Sequence, residues 1–140
     1  MALTTKFFGR YEHCLDAKGR LILPAKLRTG FGEKGYLTRH DERCLALWTE
    51  DELEREVAEQ LADGDADAAS RNRVRAWASA ASEAEIDRQG RIAIPAELRA
   101  FARLESAVVV AGVINRVELW SPASWAEQVG VLLEDPKPAR

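Results

Sequence analysis

Residues 16–28, DAKGRLILPAKLR, and residues 87–99, DRQGRIAIPAELR, are two versions of one thirteen-residue motif, 71 positions apart. Seven of the thirteen positions are identical, and three of the other six are apolar in both copies. The similarity extends to CLALW (44–48) and RVELW (116–120), each of which precedes a helix-like stretch. Two copies of so long a unit are too few for a solenoid, so the pattern indicates a duplicated small domain.

Each copy of the motif begins with a predicted turn. Aspartate at the first position can accept a hydrogen bond from the backbone two residues on, and glycine at the fourth tolerates a positive φ angle. This chemistry is typical of a tight hairpin connection. The predicted turn-forming residues are Asp16, Gly19, Asp87 and Gly90.

The strand after each turn directs one arginine outward. Because successive side chains alternate in a strand, Leu21 and Leu23 share one face, and Arg20 and Ile22 share the other. The corresponding residues of the second copy are Ile92 and Ile94 on one face and Arg91 and Ala93 on the other. Both arginines are therefore expected on the side opposite the strongest apolar pair.

The rest of each copy contains a short helix and two buried strands. Pro24 and Pro95 suit the start of a helix, because their φ is fixed and they lack an N–H group. These helices are expected to run for one or two turns. Residues 35–39 and 107–113 are then predicted as buried strands, followed by the two strands that end in tryptophan. Trp48 and Trp120 are expected in the core or in an interface.

Longer helices are predicted outside the motif. Thr49 and Ser121 can cap two helices that begin directly after the tryptophan strands. The apolar stripes expected on these two helices are Leu53, Val57 and Leu61, and Trp125, Val129, Leu132 and Leu133. A polar connector is predicted at 62–70 and a third helix at 71–84. The expected apolar face of this third helix is Val74, Trp77, Ala78 and Ala81. Residues 134–140 are expected to form a loose tail.

The composition is that of an ordinary globular protein, with 140 residues, 46% hydrophobic and 31% charged. No apolar run approaches the ~20 residues that cross a bilayer, and the first residues lack the apolar segment of a signal peptide. We therefore expect a cytoplasmic protein without membrane contact. Cys14 and Cys44 are the two cysteines and form no CxxC pair, so no disulfide framework is predicted.

The net charge of −3 conceals a strong segregation of charge along the chain. Residues 1–48 carry nine basic and five acidic side chains, and residues 71–104 carry seven and four. Residues 49–70 instead carry one basic and nine acidic side chains. Each motif therefore lies in a positive segment. Local charge decides whether a surface can approach phosphate, because charges are screened over about 8–10 Å.

These two motifs, with their flanking LW strands and the lead-in SAASEAEIDRQGRI, resemble the MraZ family from about residue 7 to residue 131. The resemblance implies an α+β, β-rich fold, in which two AbrB/SpoVT-type swapped-hairpin ββ-helix-ββ halves form an intramolecular pseudo-dimer with flanking helices. The expected divisions are a first repeat at 7–53, a helical connector with an acidic linker at 54–81, a second repeat at 82–127, and a helix end and tail at 128–140.

The resemblance also implies a function. Members of this family are bacterial transcriptional regulators, typically encoded with the division and cell-wall gene cluster. They bind short direct repeats in double-stranded DNA upstream of their own operon and assemble into ring-like homo-oligomers. A repressor that is associated with the nucleoid is therefore expected.

Candidate DNA-binding residues follow from the motif and its charges. The arginine forks can bond guanine O6 and N7 or hold a phosphate, whereas lysine is better suited to phosphate. The expected DNA-binding residues are Arg20, Arg91, Lys18 and Arg88. Arginines at the ends of the short helices are explained by the helix dipole alone. The second role considered for residues of these helices is phosphate contact. The possible phosphate contacts are Lys26, Arg28 and Arg99.

Other functions find less support in the sequence. His13 and Cys14 are adjacent in a strand and point to opposite faces, so no metal site is expected, and no cofactor is implied. No catalytic motif is present, so no enzyme and no catalytic residue are predicted. The alternative is an antitoxin-like protein-binding module with the same fold, for which only about seven tail residues are available to wrap a partner.

Overall fold

The computed structural model describes residues 5–133, except for the side chain of Asp63. Helices account for 40% and strands for 30% of an α+β structure. The strands are β1 (Arg10–Cys14), β2 (Arg20–Ile22), β3 (Lys34–His40), β4 (Cys44–Trp48), β5 (Ser82–Glu85), β6 (Arg91–Ala93), β7 (Ala107–Gly112) and β8 (Val117–Trp120). The helices are α1 (Ala25–Arg28), α2 (Glu50–Asp63), α3 (Ala68–Ala80), α4 (Ala96–Phe101), α5 (Pro122–Trp125) and α6 (Val131–Leu133). A 3-10 turn (Asp41–Arg43) joins β3 to β4, and a π-helical segment (Ala126–Gly130) joins α5 to α6.

Strand pairing interleaves the two copies. Six antiparallel strands form one sheet in the order β1-β7-β8-β4-β3-β5, while β2 and β6 form a separate two-stranded ribbon. The first strand of each copy pairs with the other copy, so that Tyr11 lies opposite Val110 and Gly35 opposite Ala84. Exchange of the two copies leaves this order unchanged, so a pseudo-twofold axis passes between β8 and β4. This topology confirms the swapped-hairpin pseudo-dimer.

The two motif turns have local hydrogen bonds but do not close hairpins. In the first turn, the N–H of Gly19 donates to the carbonyl of Asp16 at 3.0 Å, and the N–H of Asp16 donates to the carbonyl of Arg20 at 2.9 Å. The chain then turns away, and β2 pairs with β6 through Leu21 opposite Ile92. The turn chemistry suggested a simple hairpin, in which β2 would pair with the strand just before the turn. This prediction is wrong, because β2 pairs with β6 of the other copy.

Hydrogen bonds join each motif turn to the opposite strand. The N–H of Leu23 donates to the carbonyl of Gly90 at 2.9 Å, and the N–H of Ile94 donates to the carbonyl of Gly19 at 3.1 Å. These bonds extend the ribbon beyond its assigned ends. Each turn therefore terminates the strand of the other copy, and neither copy completes its ribbon alone.

Arginines from the short helices cover the same two glycines. The guanidinium of Arg28 lies against Gly90, and that of Arg99 lies against Gly19, so closely that a Cβ at either glycine would overlap it. Both glycines also have positive φ angles, +83° at Gly90 and +77° at Gly19. Glycine is therefore required twice over, for the backbone conformation and for the space.

The core confirms the predicted strand faces. The four inward side chains of the ribbon are at most 2% exposed: Leu21, Leu23, Ile92 and Ile94. Burial of a side chain of this size contributes about 1.5–3 kcal/mol relative to exposure. Trp48 and Trp120 are buried as well, and their indole N–H groups donate to Thr38 Oγ1 at 2.8 Å and to Glu118 Oε1 at 2.9 Å. These tryptophans belong to the core.

Both predicted helix caps are confirmed. Thr49 Oγ1 accepts the N–H of Glu52 at 3.3 Å, and Ser121 Oγ accepts the N–H of Ser124 at 3.1 Å. The expected stripe on α2 is wrong, because Val57 is 37% and Leu61 is 63% exposed. The helix leaves β4 with Glu52 turned inward, only 5% exposed. The direction of exit from the sheet, which apolar spacing does not specify, decides which face is covered.

The connector and the third helix also differ from expectation. Helix α2 continues to Asp63, and α3 begins at Ala68, so residues 64–67 alone separate them. Asp67 caps α3, since its side chain accepts the N–H of Ser70 at 2.8 Å. The predicted helix at 71–84 is wrong at its end, because β5 begins at Ser82 and pairs with the free edge of β3. The expected division between residues 53 and 54 falls inside α2.

The predicted apolar faces of α3 and of the helical segment after β8 are less buried than expected. Val74 and Trp77 are half-buried, whereas Ala78 and Ala81 are exposed. Trp125 and Val129 pack against a small apolar cluster on the sheet, formed by Cys44, Val109 and Trp120. Leu132 and Leu133 are 72% and 55% exposed, so the expected stripe holds only in its first half. The predicted tail at 134–140 lies outside the described residues.

Two kinds of feature are absent from the described part of the chain. No helix within residues 5–133 is long and apolar enough to cross a membrane. In the same residues, no three His, Cys, Asp or Glu side chains lie close enough together to hold a metal ion.

The space above Gly90 can be tested by comparison with Gly32, which has a φ of +70° and no neighbouring atom within 4 Å of the place that a Cβ would occupy. Both Gly→Ala variants should lose about 1–2 kcal/mol of unfolding free energy from the left-handed backbone. Gly90→Ala should lose about 1 kcal/mol more, because Arg28 must withdraw from its 2.9 Å bond to the carbonyl of Leu23. Urea unfolding measures both values, and equal losses would contradict the close packing of Arg28 against Gly90.

Candidate nucleic-acid interface

Each motif aspartate forms a cradle for the arginine four residues on. Asp16 Oδ1 accepts the backbone N–H groups of Lys18 and Arg20, both at 2.9 Å. Its second oxygen accepts the side-chain Nε–H of Arg20 at 2.7 Å. One carboxylate therefore fixes the turn and orients the arginine at the same time.

The second copy repeats this geometry. Asp87 Oδ1 accepts the backbone N–H groups of Gln89 and Arg91 at 2.9 Å, and Oδ2 accepts the Nε–H of Arg91 at 2.8 Å. The backbone N–H of Arg91, followed by its side chain, holds the pKa of Asp87 below its ordinary value of 3.8. The backbone N–H of Arg20 has the same leading effect on the pKa of Asp16. Both carboxylates are therefore ionised at neutral pH and attract their arginines.

The β2–β6 ribbon carries the two arginines on its outer face. Arg20 lies opposite Ala93, and Arg91 lies opposite Ile22. The arginines are therefore diagonal neighbours on one face, a relation that places Cα atoms about 7–8 Å apart. Their side chains are 29% and 26% exposed. Within residues 5–133, the Nη1 and Nη2 atoms of both arginines make no hydrogen bond.

Further cations flank the ribbon unequally. Lys18 and Arg88 are exposed at the tips of the two turns, at different motif positions. Lys26 is exposed on α1, whereas the corresponding residue on α4 is Glu97. The first copy therefore presents more positive charge than the second around the ribbon.

Arg28 and Arg99 have a role that the sequence reasoning missed. The helix dipole was a sufficient explanation for each alone, but both are half-buried against the turn of the other copy. Their Nε atoms are buried without a hydrogen-bond partner among the described residues. The signal was present in the sequence, because arginine and glycine recur together at identical motif positions. Because each arginine packs against a turn glycine of the other copy, the contacts seen in the structure give both a role in supporting the ribbon.

Two further arginines near the ribbon were not predicted from the sequence, because they lie outside the thirteen-residue motif. Arg39 and Arg43 stack on Phe101, with guanidinium carbons 4.8 Å and 4.5 Å from the ring centroid. Arg39 also lies 3.8 Å from Glu97 on α4. No sequence repeat marks these residues, since the second copy has no counterpart at this point. They add positive charge beside the helix that follows β6.

The two cysteines and His40 lie in strands of the six-stranded sheet and not in the β2–β6 ribbon. Cys14 is exposed, whereas Cys44 is fully buried. Burial is the main cause that raises the pKa of the Cys44 thiol far above its usual value. His40 lies 3.9 Å from Glu118 and packs edge-on against Trp48. Cys44 and His40 therefore have structural surroundings, and both lie in the six-stranded sheet and not in the ribbon.

Comparison with known proteins gives one consistent result. The family model described as "MraZ protein, putative antitoxin-like" matches residues 7–75 and 78–137. A protein of Thermomicrobium roseum is 44% identical over 128 residues, which cover 90% of this chain and 89% of the relative. A protein of Ligilactobacillus salivarius is 46% identical over 123 residues, with 85% and 83% covered.

A third relative, from Symbiobacterium thermophilum, is 44% identical over 119 residues, which cover 85% of this chain and 86% of the relative. All three relatives are named "Transcriptional regulator MraZ". The family model matches both copies of the motif, and the relatives align with nearly the whole chain. The chain therefore belongs to the MraZ family.

Proposed function

We propose that this protein is a sequence-specific DNA-binding transcriptional regulator that contacts DNA with the outer face of the β2–β6 ribbon. The observation that carries the proposal is the pair of oriented guanidiniums on that face. Arg20 and Arg91 are each fixed through Nε, and their terminal nitrogens make no hydrogen bond among the described residues. The names of the relatives support regulation of transcription as the purpose of that contact.

The ribbon has the dimensions and chemistry for the major groove. The major groove of B-DNA is about 12 Å wide and admits a two-stranded β-ribbon. Terminal nitrogens of arginine bond guanine O6 and N7 in that groove. Lys18 and Arg88, exposed at the turn tips, are placed for phosphate contacts beside the bases. Asp16 and Asp87 act indirectly, by holding the arginines in the bonding orientation before DNA arrives.

The finer features implied by the family are part of the proposal. The protein would repress the division and cell-wall gene cluster by binding short direct repeats upstream of its own operon, within the cytoplasm and at the nucleoid. One ribbon offers few contacts, so a single subunit would bind weakly and lose affinity steeply with salt. A ring-like homo-oligomer would convert several weak contacts into tight binding if the repeats match the spacing of subunits.

No catalytic role is proposed, since the relatives are named as regulators and the ribbon arginines are suited to binding. The expected DNA site can be located by footprinting the protein on the DNA just upstream of its own gene. Protection of short regularly spaced segments supports the proposal. Uniform weak protection along the duplex would contradict sequence-specific binding.

Removal of the arginines should remove specific binding. Each bidentate arginine–guanine contact contributes about 1–3 kcal/mol of discrimination, so Arg20→Ala and Arg91→Ala should each weaken specific binding about fivefold or more. We expect the larger loss from Arg20→Ala, and the double variant should bind only at the non-specific level. Mobility-shift titration at fixed salt measures the affinities.

The matched control is Arg75→Ala, which removes one exposed arginine from α3, outside the ribbon. Arg75 bonds only to the side chain of Asn72 among the described residues. This variant should retain specific affinity within about threefold, because a single remote charge acts mainly through screened electrostatics. Equal losses in the control and in the ribbon variants would leave the ribbon with no special role.

The orienting role of the aspartates can be separated from turn formation. In Asp16→Asn with Asp87→Asn, the amide oxygen can still accept the backbone N–H groups, but the amide nitrogen cannot accept from the arginine Nε. The double variant should therefore fold normally and lose discrimination between the footprinted duplex and random DNA. Its non-specific affinity should not fall, because two negative charges have been removed. An unchanged ratio of specific to non-specific affinity would exclude the orienting role.

A further inference from the structure

Ile22 is an exposed apolar residue in the middle of the arginine surface. Its side chain is 45% exposed, while the four inward side chains of the ribbon are buried. It belongs to neither apolar cluster of the described residues. A single exposed isoleucine is common on protein surfaces. Its position is what matters, because it shares the outer face with Arg20 and lies directly opposite Arg91.

The two ends of the ribbon differ at this position. Exchange of the two copies places Arg20 on Arg91, but it places Ile22 on Ala93. Each arginine therefore has a different cross-strand neighbour, isoleucine for Arg91 and alanine for Arg20. Directly opposite residues have Cβ atoms about 4.5–5.5 Å apart. Directly across the ribbon, Arg91 is consequently bordered by a large apolar side chain, whereas Arg20 is bordered only by the methyl group of alanine.

We propose that Ile22 is a specificity-determining residue that contacts the C5-methyl group of a thymine next to the base bound by Arg91. This inference rests on the proposed function and names one base that the same surface recognises. The thymine methyl is the apolar group that base edges present in the major groove. Cytosine at this position offers an N4 amino donor, which isoleucine cannot satisfy and would desolvate at a cost.

The difference between Ile22 and Ala93 also gives the bound ribbon a direction. A protein with exact twofold symmetry favours a palindromic site, in which both halves carry the same bases. Here an arginine occupies the same motif position at both ends, whereas the isoleucine contact exists at one end. The DNA site is therefore asymmetric, and each ribbon binds in one orientation.

The test replaces single thymines by uracil, which removes the C5-methyl group and leaves base pairing intact. The probe is the duplex that the wild-type protein protects in footprinting. Burial of one methyl group contributes about 0.8 kcal/mol, so one uracil per site should weaken wild-type binding about fourfold. Ile22→Ala, which copies the residue at 93, should lose most of this preference for thymine over uracil, because alanine buries less of the thymine methyl group. Uracil effects that arise from DNA shape should be the same in both proteins.

A second variant supplies the reverse test. Ala93→Ile gives both ends the same outer face and should create a second position at which uracil weakens binding. Both positions 22 and 93 are exposed, so thermal unfolding should be nearly unchanged and serves as the folding control. If every uracil substitution affects wild-type and Ile22→Ala proteins equally, the thymine contact is excluded while specific binding stands. If the wild-type protein protects no specific segment, the proposed function fails and this inference fails with it.

Discussion

The structure depends on the exchange of strands between the two copies of the motif. The bonds from Leu23 to the carbonyl of Gly90 and from Ile94 to the carbonyl of Gly19 mean that each turn ends the strand of the other copy. The ribbon therefore exists only when both copies are folded together, and its two arginines are held in one fixed relation. An isolated hairpin formed by one copy would not hold an arginine in a fixed position, because a two-stranded hairpin alone is at best marginally stable.

Much of this arrangement could be predicted from local chemistry. The Asp–Gly turns, the alternation of Leu21 and Leu23 with Arg20, and the caps at Thr49 and Ser121 all depend on neighbours a few residues away. The partner of each strand is different, because it depends on contacts between distant residues. The residues around the turns alone suggested a local hairpin, and the exchange of strands was implied only by the family resemblance.

The remaining differences have the same origin. Ser82–Glu85 has helix-compatible residues but forms β5, because the edge of β3 offers backbone hydrogen bonds. The stripe on α2 is regular, yet Leu61 is exposed because the exit from β4 turns Glu52 inward. For the site, the sequence indicated Arg20 and Arg91 directly, whereas the only sign that Arg28 supports Gly90 was the recurrence of both residue types at the same motif positions. Contacts between the two copies can be predicted only after the pairing of their strands is known.

In the proposed complex, both ribbon arginines bond base edges in the major groove. Methylation interference probes this contact, because dimethyl sulfate places a methyl group on guanine N7, where an arginine would bond. We predict that methylation of specific guanines, in two groups per bound ribbon, prevents binding of the wild-type protein. Binding that is indifferent to N7 methylation at every guanine of the protected segment would contradict this claim.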